Sequence, residues 1–96
     1  MNIRLEANVV KVTGLRELDE TTGNDLREQT LGAIRSLRDR VEVDLSQTHS
    51  VNGGGLGALV HLQKACGNVC LLNPRPPVRQ VLELARMDRI FEIVQN

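Results

Sequence analysis

The sequence predicts an α/β domain: a mixed sheet of about five strands with three main helices, in the order β-β-α-β-α-β-α-β. Three observations carry this expectation. Short apolar or alternating runs recur along the chain, amphipathic stretches of roughly ten to fifteen residues separate the later ones, and no linker interrupts them. A chain of 96 residues suits one core. Strands that alternate with helices build βαβ units, whose crossovers are right-handed in nearly all known folds.

Ile3-Arg4-Leu5-Glu6 and Val9-Val10-Lys11-Val12 read as two strands joined at Ala7-Asn8 in a hairpin, and Gly14 ends the pair. From about Glu20 the period becomes helical. Leu26, Thr30, Ala33, Ile34 and Leu37 form a dry face, with Arg27, Glu28, Arg35 and Arg38 on the wet side. Val41, Val43 and Leu45 alternate with Glu42 and Asp44, as in a strand with one better-buried side. Residues 46–53 read as a loop.

A second helix is expected from Gly55 to Cys66, with Asn52 as a candidate N-cap. Leu56, Leu59, Val60, Leu62, Ala65 and Cys66 supply its apolar arc, while Gly57, His61 and Lys64 share the other face. Gly67 stops it. Val69-Cys70-Leu71-Leu72 is continuously apolar, the pattern of a central strand covered on both sides. Pro74, Pro76 and Pro77 open the third helix, where a missing N–H costs nothing. Val78, Val81, Leu82 and Ala85 then mark its inner face, and Arg79, Gln80, Glu83 and Arg86 its outer one. Met87 to Ile90 predicts a last helical turn before a closing strand at Phe91-Glu92-Ile93-Val94.

Composition narrows function. Twelve acids balance twelve bases, and Phe91 is the one aromatic residue, so no stacking platform for nucleic acid exists and no nucleic-acid partner is expected. Arg4 and Glu6 break any apolar leader, and no apolar run approaches the ~20 residues of a membrane span, which predicts a cytoplasmic protein without membrane insertion. In that compartment Cys66 and Cys70 read as two buried, reduced thiols. His49, His61, Cys66 and Cys70 have metal-binding atoms but no recognised ligand spacing, so neither a metal nor another cofactor is expected.

The run Asn52-Gly53-Gly54-Gly55-Leu56-Gly57-Ala58 sits where a strand hands over to a helix. Gly53, Gly55 and Ala58 fit a loose dinucleotide pattern, yet the next strand ends at Asn73 without a carboxylate for a ribose. No Lys-Ser/Thr pair follows to make a phosphate loop. The simpler reading is a tight turn and a close-packed helix start. Catalysis lacks partners as well: His49 and His61 are the only imidazoles, no hydroxyl occurs from Val51 to Gly57, and no second carboxylate completes an acid–base pair with Asp44. No enzyme activity is expected.

The segment Val41 to Gly57, VEVDLSQTHSVNGGGLG, resembles the signature of the STAS family (sulfate transporter and anti-sigma factor antagonist), in which a strand ending in Asp-Leu leads through a short loop to Asp-Ser-Ser-Gly-Leu-Gly at a helix start. The resemblance covers nearly the whole chain, from Gly14 and Leu18-Asp19 before the first helix to the Pro77–Ile93 ending, and implies one STAS-like domain over residues 1–96. It further implies a bacterial regulatory module that docks an anti-sigma factor, often a serine kinase, which inactivates it by phosphorylating the second serine. Here Asn52 stands at the aspartate, Gly53 at the first serine and Gly54 at the phosphorylated one.

The expected docking surface is therefore Ser46, Thr48, Ser50, Asn52, Gly53, Gly54, Gly57 and His61, working without phosphate at Gly54. Thr48 and Ser50 are alternative phosphosites in the same loop. No Asp or Glu occurs from Leu45 to Leu82, whereas Lys64, Arg75 and Arg79 do, which predicts a neutral-to-positive surface. Two other functions fit the same fold. One is a STAS subunit on the ATPase side of a lipid or solute transporter; the other is a small-ligand or nucleotide sensor using the helix start at Gly53 to Gly55 for an anion. Dimerisation through an edge strand is compatible with each.

Overall fold

The computed structural model describes residues 1–36 and 38–96. Its first element follows from the two-residue turn: Ala7 takes a left-handed φ of 53°, folding Asn2–Glu6 (β1) back onto Val9–Thr13 (β2) with Ile3 opposite Val12 and Leu5 opposite Val10. Gly14, at φ 75°, then turns the chain out of the sheet. Asp19 starts helix Glu20–Ala33 (α1) through a capping box, its carboxylate accepting from Thr22 N at 2.9 Å while Thr22 Oγ1 accepts from Asp19 N at 3.0 Å.

That helix ends earlier than its apolar spacing suggests. Ile34 is the C-cap in extended conformation, Arg35 and Arg38 lie beyond the helix, and Leu37 falls outside the described residues. The physical cause is Asp39. Its buried carboxylate accepts the N–H groups of Arg35 at 2.8 Å and Ser36 at 3.2 Å, drawing the backbone off the helical path.

Arg40–Asp44 (β4), Val69–Leu72 (β6) and Glu92–Val94 (β7) extend the sheet in parallel, giving the order β1-β2-β4-β6-β7 with β4 at its centre. Glu17–Leu18 (β3) and Ser50–Val51 (β5) form a separate parallel pair, the second of them inside the segment 46–53 expected as loop. Gly53–Cys66 (α2) begins two residues before the expected Gly55, because Asn52 caps it by accepting from Gly55 N at 3.2 Å. Gly67, at φ 76°, ends it. Pro76–Leu84 (α3) has its prolines in the first turn, and Ala85, expected on the inner face, is instead an exposed C-cap. A 3-10 turn at Met87–Arg89 leads into β7.

One face of the sheet makes the core. Val10, Val12, Val41, Val43, Val69 and Leu71 meet Leu26 of α1, Leu59 and Leu62 of α2, and Val78 and Leu82 of α3. Each fully buried leucine contributes about 1.5–3 kcal/mol of transfer free energy. Because all three helices feed this one core, β6 is not covered by helices on both sides as its apolar run suggested. Its other face, at Cys70, lies in register between Glu42 and Glu92. There Arg40 of β4 reaches across β6 to Glu92 at 2.7 Å, and these polar side chains leave Cys70 only 1% exposed.

Candidate protein-docking site

The parallel strands run toward the edge where the loop after β4, the segment before α1 and the start of α2 converge. Parallel α/β sheets place recognition loops at such carboxyl ends. Asp44 begins the loop by accepting from Ser46 N at 2.9 Å. Thr48 then inserts: it is fully buried, and its Oγ1 donates to Leu15 O at 2.6 Å. His49 N donates to Arg16 O at 2.7 Å, β5 pairs with β3, and Asn52 N donates to Leu18 O at 3.1 Å. From the other side, Arg75 Nε donates to Ser46 O at 2.6 Å, with its Nη1 3.5 Å from His49 Nδ1. Residues 46–52 are thus stapled to residues 15–18 and to the start of α3, a prepared surface whose ordering entropy is already spent.

Of the expected surface residues, Ser50, Asn52, Gly53, Gly54, Gly57 and His61 are exposed and Ser46 is half-buried. Thr48 departs from expectation as a modification site. Its hydroxyl is buried and engaged, and a kinase would have to open the loop to reach it. Ser50 carries the open hydroxyl.

Gly54 has a packing reason that the sequence did not disclose. A Cβ there would stand 2.9 Å from Glu20 Cβ and 3.0 Å from Glu20 N, at the first residue of α1. A Cβ at Gly55 would collide with the Leu18 carbonyl, and one at Gly23 would stand 2.7 Å from Ala58 Cβ. The two helices therefore touch along Gly23, Gly54, Gly55 and Ala58, with backbone close to backbone. Gly53 and Gly57, by contrast, face open space.

The charge expectation also changes. Although no acid occurs from Leu45 to Leu82, the fold brings two in from elsewhere: Glu17 lies in register with Ser50, and Glu20 abuts Gly54. The surface is mixed rather than neutral-to-positive. Arg75, expected there from its charge, lies beside it, and so do residues 16, 17 and 20, which sequence reasoning missed because a two-residue strand pair leaves no periodic signal.

Around this edge, Asp19 is held below the usual carboxylate range, chiefly by the Thr22 N–H that it accepts. Burial pushes the thiols of Cys66 and Cys70 upward, which leaves them poor nucleophiles. His49, His61, Cys66 and Cys70 are not brought together, and among the described residues no group of three or more His, Cys, Asp or Glu side chains is placed to hold a metal. Among these residues, no helix is long and apolar enough to cross a membrane.

Comparison with known proteins places this architecture. No curated protein sequence matches the chain. Among solved structures it is similar to the crystal structure of a candidate anti-sigma factor antagonist from Thermotoga maritima, with a TM-score of 0.84 and 22% identity over 99% of this chain and 86% of that one. The NMR structure of that protein gives a TM-score of 0.74 at 22% identity, covering 98% of this chain and 79% of that one. The unphosphorylated anti-sigma factor antagonist SpoIIAA is similar at a TM-score of 0.68 and 18% identity, over 96% of this chain and 85% of that one. These likenesses are of fold. Residues 1–95 match the family model described as Mlab, STAS domain, and the chain belongs to the STAS domain family.

Proposed function

We propose that this protein is a regulatory, non-enzymatic STAS module that binds a protein partner, of the anti-sigma factor or serine-kinase type, through residues 46–57 and the exposed side of α2. The observation that carries the reading is the stapled loop. Four contacts, from Thr48, His49, Asn52 and Arg75, hold an exposed segment in one conformation beside the open positions Gly53 and Gly57. Rigid loops on a rigid scaffold favour recognition. The likeness in fold to SpoIIAA supports a partner of this class.

Binding on this reading does not depend on phosphate at residue 54, since glycine carries no hydroxyl. Of the two expected alternative phosphosites, phosphate control falls to the exposed Ser50 rather than to the buried Thr48. The test is co-purification from the native host, with wild-type and Gly53→Asp baits compared. A partner retained by the wild type and lost by the variant supports the reading. Loss of no partner, or no specific partner with either bait, counts against it.

A second reading keeps the surface and changes the pathway. STAS domains also serve as subunits on the ATPase side of transporter assemblies, and the matching family model is described by Mlab rather than by an antagonist. Identification of the retained partner by mass spectrometry separates the two.

A further inference from the structure

Two exposed arginines adjoin His49 at the docking edge, Arg16 through its backbone and Arg75 through its side chain. His49 N donates to Arg16 O, and Arg75 Nη1 lies 3.5 Å from His49 Nδ1, so three separate chain segments meet at His49. Arg16, His49 and Arg75 are all exposed. The ion pairs among the described residues use Arg4, Lys11, Arg40 and Arg79, and neither Arg16 nor Arg75 forms one. Arg75 spends Nε on Ser46 O and turns Nη1 toward His49, an arrangement that puts a guanidinium on the surface without a carboxylate. Planar guanidinium groups are suited to paired hydrogen bonds with carboxylates.

We infer that Arg16 and Arg75, which both adjoin His49, make a basic strip that receives the carboxylates of an acidic segment on the partner protein. The inference rests on the docking reading above and adds the chemistry of the partner. Neighbouring charges favour protein over nucleic acid as the occupant. Glu17 follows Arg16 in the same segment and Glu20 lies against Gly54, so a polyanionic backbone running along the edge would meet carboxylates as well as cations. A protein segment can set carboxylates against the strip and bases or neutral groups against Glu17 and Glu20. The chain offers no exposed aromatic ring to stack a base, its one ring being Phe91, which is 4% exposed.

The test is an amide-resolved NMR titration of the full chain with a short poly-glutamate peptide, a poly-lysine peptide of the same length and a short single-stranded DNA. Poly-glutamate is expected to shift the amides of residues 16, 48–52 and 75, weakly and less so at physiological salt. Arg16→Gln, which removes no side-chain bond of the fold, should weaken that binding roughly threefold to fivefold, the size of an exposed ion pair. Arg75→Gln should do the same, Arg75→Lys should retain most of the binding, and Arg89→Gln, in the turn before β7 and outside the docking surface, should leave it unchanged. Shifts spread evenly over all basic residues, no shift at this strip, or tighter binding of DNA than of poly-glutamate would overturn the inference. Repeating the co-purification with an Arg16→Gln bait separates the two proposals: a wild-type partner retained equally by that variant at all salt concentrations refutes the basic strip and leaves the docking reading standing.

Discussion

Gly54 packs against Glu20, so that a methyl group on Gly54 would stand 2.9 Å from the Glu20 Cβ at the first turn of the neighbouring helix. Gly54 is therefore part of a helix–helix seam as well as a residue without a hydroxyl. Gly54 is exposed to solvent on one side and closed on the side where a side chain would project.

Three substitutions along α2 measure this seam. Gly53→Ser faces open space and should change stability by less than about 0.5 kcal/mol. Gly54→Ser must push α1 aside and should cost about 1–3 kcal/mol, as overpacking does. Gly55→Ala meets the backbone carbonyl of Leu18, which cannot rotate away, and should be the most damaging. Urea unfolding of the three variants checks the order. Equal stability of Gly53→Ser and Gly54→Ser would mean that the helices are not in close contact there.

Thr30 offers a gain rather than a loss. It is fully buried on α1, and its hydroxyl has no hydrogen-bond partner among the described residues. Thr30→Val keeps the branched shape and removes the unpaired group, and it should stabilise the fold by about 1 kcal/mol or more. Thr30→Ser keeps the hydroxyl and deletes a methyl, so it should destabilise by about 1 kcal/mol. Thermal melts of both variants give the sign directly.

The helices and the five main strands were legible because each buries a periodic set of residues, such as Val41 and Val43 or Leu59 and Leu62, in one core. What escaped sequence reasoning depends on contacts between distant segments. Asp39 stops α1 by binding backbone N–H groups that precede it, against the local helical pattern. Glu17–Leu18 and Ser50–Val51 become strands only through each other, and each is two residues long. The acid-free stretch from Leu45 to Leu82 was a correct count, yet charge on a surface is set by neighbours in space, and Glu17 and Glu20 come from before it. Apolar continuity of Val69 to Leu72 was likewise real, but Cys70 is covered by an ion-paired arginine in place of a helix.

Acid should weaken the fold over a defined window. Asp19, held down first by the Thr22 N–H, Glu6, held down first by its hydrogen bond with Lys11, and Glu92, held down first by Cys70 and then by Arg40, all sit below their ordinary values of 3.8 for Asp and 4.5 for Glu. A carboxylate with a depressed folded pKa contributes stability that is complete above the unfolded value and is lost as pH falls through the folded one. The melting temperature should therefore be flat near neutrality in respect of these groups and fall as pH drops below about 4–5. Asp19→Asn should lower the melting temperature at neutral pH and flatten part of that acid limb. An unchanged limb in Asp19→Asn would assign the acid sensitivity to the other carboxylates.

Thiol reactivity tests the covering of the open sheet face. Burial raises both thiols, so alkylation at neutral pH should be slow at each, but Cys66 is half-buried at the end of α2 whereas Cys70 is 1% exposed beneath the Arg40–Glu92 pair. Cys66 should react first, and Cys70 only when its cover opens. Glu92→Gln removes the charge that holds the Arg40 guanidinium across β6, while the exposed position of the Glu92 side chain means that the core beneath is untouched. The Cys70 alkylation rate should rise several-fold relative to that of Cys66, with little change in the urea midpoint. A Cys70 rate that stays equal to the rate of global unfolding in both proteins would show that the strand itself, rather than the ion pair, provides the protection.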